Sequence, residues 1–139
     1  MDRVSWVRIT GAVAVIGAVC WAVKWAAIGA QGSSGSAVDV SAFVLGLVGI
    51  VVGSCSASLR LTAGRGSAAT AVACVLGAVV TFLLVPVLST VSEAVFGAGT
   101  FLGGEAGLMV LALLAVVVGL SGFWTAPSGS ASRRAAGVA

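Results

Sequence analysis

The chain has 139 residues, of which 60% are hydrophobic and only 8% charged, with a net charge of +3 and a mean hydropathy of +1.21. Soluble domains carry about a quarter charged residues, and a soluble fold of this length could not hide so much apolar surface. The apolar residues fall instead into four blocks, each close to the roughly 20 residues needed to cross a bilayer. Inside lipid each block must close its own backbone hydrogen bonds, so the expected fold is all-α. An integral membrane four-helix bundle is expected over residues 1–126, with antiparallel neighbours, followed by an expected disordered cytoplasmic tail over 127–139.

The first span is expected over residues 4–28. Arg3 and Arg8 precede its apolar run and small residues follow around Ala26 to Ala30, as in a secretion signal. Trp21, Lys24 and Trp25 would crowd the region before a cut, however, and together they make an interfacial anchor for an uncleaved helix. A lipoprotein reading fails because Cys20 follows Val19, where a small residue is needed. Trp21 and Trp25, four apart, share one face and are expected at the headgroups of the outer end. Lys24 is the only ionisable residue well inside a span. It lies about one turn from the outer end, so its stem can carry the ammonium to water. The sharper reading pairs it with Glu93, Glu105 or Asp39 across the outer mouth, or has it attract an anionic ligand.

The outer loop from Gly29 to Ala37 reads GAQGSSGSA, and Ser36 can cap the second span, expected over 38–61. Asp39 in its first turn complements the positive end of the helix dipole. Within this span Gly49 to Gly53 reads GIVVG, and Ser54, Cys55, Ser56, Ala57 and Ser58 form the most polar run in any span. Those hydroxyls are expected to bond backbone carbonyls of the preceding turn or of a neighbouring helix. Only Thr62 to Gly66, TAGRG, separates spans two and three, which are therefore expected as antiparallel neighbours in a tight hairpin.

The third span is expected over 67–88, with Pro86 kinking or ending it. The segment from Ser89 to Gly104, STVSEAVFGAGTFLGG, is expected to lie on the membrane surface or fold over the outer mouth, where it is the candidate contact for an external partner. The fourth span is expected over 106–126, with Glu105 complementing its dipole as Asp39 does for the second. Trp6, Phe123 and Trp124 anchor the inner ends.

Orientation follows from the basic residues, which are retained in the cytoplasm. Arg3 and Arg8, Arg60 and Arg65, and Arg133 and Arg134 all fall on one side of a four-span chain. Asp39, Glu93 and Glu105 fall on the other, with Lys24 alone among the basic residues. Both termini are thus expected in the cytoplasm. Arg outnumbers Lys six to one and residues with GC-rich codons dominate, a composition expected of a bacterial plasma-membrane protein.

Small residues recur every fourth position: Ala14, Ala18, Ala22 and Ala26; Gly49, Gly53 and Ala57; Ala73, Gly77 and Thr81; Ala115 and Gly119. Such stripes let helix backbones approach closely in lipid.

Reactive groups are scarce. There is no His, the four acids Asp2, Asp39, Glu93 and Glu105 fall at span ends or in loops, and Cys20, Cys55 and Cys74 show no metal-ligand spacing. Cys55 and Cys74 fall in the same half of adjacent spans, where each is expected to behave as a small apolar residue. No enzyme activity, cofactor or metal is expected. The expected role is that of a non-enzymatic accessory or interaction protein acting through helix packing in the lipid bilayer, with a membrane-protein partner or a second copy and no nucleic acid. The alternative is a small oligomeric channel or transporter subunit, although the membrane-embedded carboxylate on which proton-coupled exporters rely is missing from the spans. Lys24, Glu93 and Glu105 at the outer mouth are the candidate functional or ion-pair residues.

Overall fold

A computed structural model describes residues 3–32 and 37–124, with Gln31 described by its backbone alone. Four helices account for nearly all of them: α1 (Arg3–Gln31), α2 (Ala37–Leu61), α3 (Ser67–Phe96) and α4 (Phe101–Trp124). All four are long and apolar enough to span a membrane. The shortest, α4 with 24 residues, measures about 36 Å against a hydrocarbon core of roughly 30 Å. The expected Ser36 cap and the tail beyond the fourth span lie outside the described residues.

The first two helices match their expected bounds closely, and the second two correct them. α3 does not end near Leu88 but runs through Pro86 to Phe96. Proline removes one backbone donor without ending the helix, as expected of an apolar segment whose backbone groups would have no other partner in an apolar surrounding. Most of the Ser89 to Gly104 segment is therefore helical rather than draped over the bundle. A tight turn at Gly97 to Thr100 joins α3 to α4, with Gly97 (φ 92°) and Gly99 (φ 79°) in the left-handed region that a side chain would strain. The Thr100 hydroxyl accepts from the Gly103 N–H at 2.9 Å, capping α4 and starting it at Phe101. Glu105 consequently lies beyond the first turn of α4 rather than in it.

The helices form a ring in chain order, with α2 and α4 also meeting across it and the backbones of α1 and α3 held apart. The most extensive contact is between α1 and α2, ahead of the α2–α3 hairpin. Its cause is glycine: a Cβ on Gly49 would lie 2.6 Å from the Gly17 Cα, so the two backbones touch. The same device joins α1 to α4, where a Cβ on Gly119 would lie 2.6 Å from the Gly11 carbonyl oxygen.

Of the expected small-residue stripe on α1, Ala14 and Ala18 are buried and Ala22 and Ala26 are exposed. A repeat of four advances about 40° per step around a helix of 3.6 residues per turn, so the stripe winds out of the interface. The packed face follows alternating steps of three and four instead, through Val7, Ala14, Trp21 and Lys24. Ala14, Ala18 and Trp21 pack with Ile50 of α2 and with Leu108, Leu111, Ala112 and Ala115 of α4 to make the core. α3 lies outboard, leaning on that core through Val85 and Leu88, with Ser92 its one buried residue.

Large apolar side chains coat the outside: Ile16, Leu45, Val75, Leu76, Leu113 and Val117 are each more than half exposed. Small residues inside and large apolar ones outside invert the soluble pattern and suit an apolar surrounding. Trp6 and Trp124 point outward. Trp21 does not take the expected anchor position. It is fully buried, stacked on Phe43 with ring centroids 6.2 Å apart, and its indole N–H donates to the Phe43 carbonyl at 3.1 Å. Gly46 leaves the space that its ring fills.

Glycines that meet nothing test this packing by contrast. A Cβ on Gly104, inside α4, would touch nothing within 4 Å. Gly104→Ala is expected to stabilise the fold by about 0.5 kcal/mol, because it only restricts the unfolded chain. Reversible unfolding in mixed micelles would register the gain.

Candidate functional site: an ionic cluster at one end of the bundle

Three helices bring charged side chains to a single point. Lys24 arrives on the packed face of α1, Asp39 in the first turn of α2, and Glu105 on α4. The Lys24 ammonium donates to Glu105 Oε1 and lies 3.9 Å from Asp39 Oδ1. The other oxygen of Glu105, Oε2, accepts from the Trp25 indole N–H at 2.8 Å. The ring of Phe43 stands to one side, its centroid 5.6 Å from the ammonium. Lys24 and Asp39 are buried and Glu105 mostly so, with side-chain exposures of 8%, 7% and 14%.

Lys24 thus reaches inward to two carboxylates rather than outward to water. The physical reason is its phase: three residues after the fully buried Trp21, it emerges on the same side of α1. Of the candidate residues, the fold brings Lys24 and Glu105 together and leaves Glu93 exposed on α3, in no ion pair among the described residues. Its neighbour Ser92 turns inward instead, donating to the Gly103 carbonyl and so tying the end of α3 to the start of α4. Asp39 also sits in the first turn of α2, where the helix dipole favours a carboxylate.

The opposite end is fastened by arginines. Arg3 donates to the Leu59 and Thr62 carbonyls at 3.0 and 2.8 Å, and to the hydroxyls of Thr62 and Thr70 at 2.8 and 3.0 Å. Arg60 donates to the Val118 carbonyl at 2.9 Å and the Ser121 hydroxyl at 2.6 Å. Arg3 thereby caps carbonyls at the C-terminal end of α2, and Arg60 ties α2 to α4. In the sequence these arginines read only as markers of orientation. The hydroxyls at Thr62, Thr70 and Ser121 near helix ends are the signal that foreshadows the clamps. Arg60→Ala is expected to lower unfolding free energy by about 2 kcal/mol, whereas Arg65→Ala, exposed in the turn, should change it by less than about 0.5 kcal/mol. Denaturant titration of the two variants side by side would separate clamp from bystander.

The serines of α2 hydrogen-bond to backbone. Ser56, fully buried, donates to the Val7 carbonyl of α1 at 3.3 Å, and Ser58 donates to the Ala73 carbonyl of α3 at 3.0 Å. Cys55 and Cys74 are free and lie on the adjacent helices α2 and α3. Among the described residues no group of three or more His, Cys, Asp or Glu is placed to hold a metal ion. What the ionic cluster offers chemically is a buried place for one positive charge between two carboxylates and an aromatic face. No protein-family model, curated protein or solved structure matches the chain.

Proposed function

We propose that the chain is a multi-pass protein of a bacterial plasma membrane, its helices antiparallel to their neighbours and both termini in the cytoplasm. In this reading it is a non-enzymatic accessory or interaction protein, and its work is done by helix packing against a membrane partner or a second copy. The observation that carries the reading is the unequal division of the core. α1, α2 and α4 close around Trp21, Ile50 and Leu108, whereas α3 keeps most of its large apolar side chains exposed. Polar side chains at both ends are engaged in fastening the bundle rather than lining a path through it. Arg3, Arg8, Arg60 and Arg65 at one end, against Asp39 and Glu105 at the other, support the orientation. Gentle extraction from native membranes should yield the chain with a stoichiometric membrane partner or as an oligomer. Recovery of monomer alone would count against the reading.

A second reading, a small oligomeric channel or transporter subunit, gains from one observation: the carboxylates of Asp39 and Glu105 are buried despite their positions near helix ends. Flux assays in reconstituted vesicles address it, and no transport across a panel of ions and dyes would remove it.

A further inference from the structure

We infer that Asp39, Glu105 and Phe43 form a binding site for an alkylammonium group, and that Lys24 fills this site from within the chain. The three groups belong to α2 and α4, yet they converge on the terminal nitrogen of a side chain from α1. They supply what an ammonium requires: a hydrogen-bonding carboxylate in Glu105, a second carboxylate 3.9 Å away in Asp39, and an aromatic face at 5.6 Å in Phe43. The Trp25 indole N–H on Glu105 Oε2 holds that carboxylate in its orientation by a bond that does not involve Lys24. Glu105 therefore keeps one orienting bond when Lys24 is removed.

Cutting Lys24 back to alanine removes three methylenes and the ammonium, the outline of n-propylammonium. It leaves two buried carboxylates around the vacated space. A primary ammonium has two sources at a membrane, a free amine in water or the ethanolamine headgroup of a lipid, and both carry the same charge and hydrogen-bond donors. Sodium has neither the alkyl stem nor the directed N–H groups.

The test is chemical rescue of the full-length chain. The thermal midpoint of Lys24→Ala is measured in detergent with n-propylammonium chloride or with sodium chloride at equal ionic strength. It is measured again in nanodiscs of phosphatidylethanolamine or phosphatidylglycerol. n-Propylammonium at ten times its dissociation constant should raise the midpoint of the variant by about 4 °C over sodium. It should leave the wild type unmoved, because Lys24 occupies the site, and should fail in the Lys24→Ala, Glu105→Gln double variant. A rise in phosphatidylethanolamine extends the site to the lipid headgroup, and a rise with the free amine alone assigns the source to water. No rise with either, or an equal rise in the wild type, overturns the assignment. Should Lys24→Ala be lost on extraction, the yield of monodisperse protein replaces the midpoint. A yield restored by n-propylammonium and not by sodium supports the site, and a yield unchanged by the amine overturns it.

Discussion

Lys24→Ala is expected to lower the unfolding free energy by about 3 kcal/mol, the low end of the range for breaking a buried ion pair from one side. The loss comes less from the vanished attraction than from what stays behind. Glu105 and Asp39 remain buried with their shared cation gone. Glu105→Gln should cost less, about 1.5 kcal/mol. The single amide oxygen can still accept from one of Lys24 and Trp25, and Asp39 remains as a counter-charge 3.9 Å from the ammonium. The two changes together should fall short of their sum, because they disable one network. Reversible denaturation in mixed micelles measures all three variants. A lysine that merely carried its charge to water would leave stability unchanged on truncation.

Gly49→Val is expected to destabilise by about 3 kcal/mol, as overpacking does where neither side can yield. A Cβ at position 49 meets the Cα of Gly17 at 2.6 Å and the Val13 carbonyl oxygen at 3.0 Å, so the obstacles are backbone and the helices must separate to admit it. Ala22→Val on α1 is the matched control. Ala22 belongs to the every-fourth stripe yet is exposed, so the change should stay within about 0.5 kcal/mol. The same micelle titration distinguishes a face that winds with the helix from one read at fixed intervals of four.

Much of the fold was legible because hydropathy and helix length are local properties. Four apolar blocks give four helices, and the short TAGRG turn brings α2 and α3 into contact through Ser58 and Ala73. The bounds of α3 and α4 were not legible, because Pro86 reads as a breaker yet lies inside α3, and the break falls instead at Gly97 and Gly99. The ionic cluster was half legible. Lys24 drew attention as a charge inside a span, and Glu105 and Asp39 as acids near the same end. Which acids it meets depends on helix phase. Lys24 shares the face of Val7, Ala14 and Trp21, a pattern readable in the sequence but obscured by the alanine stripe. The burial of Trp21 went unread for a similar reason: an indole near a span end is ordinarily an anchor, and only the absence of a side chain at Gly46 makes room for it. The arginine clamps depend on which helix ends become neighbours, which no local feature of Arg3 or Arg60 reveals.

The membrane topology is tested most directly by labelling single cysteines in intact cells with a membrane-impermeant maleimide, after replacing Cys20, Cys55 and Cys74 with serine or alanine. Exposed positions at both ends serve: Ala30 near the end of α1, Ala63 in the α2–α3 turn, and Ala98 in the α3–α4 turn. Ala30→Cys and Ala98→Cys should react in intact cells, and Ala63→Cys only after the membrane is opened. Labelling of Ala63→Cys from outside, or protection of Ala30→Cys and Ala98→Cys until permeabilisation, would contradict a four-span bundle with its ionic end outward and both termini in the cytoplasm.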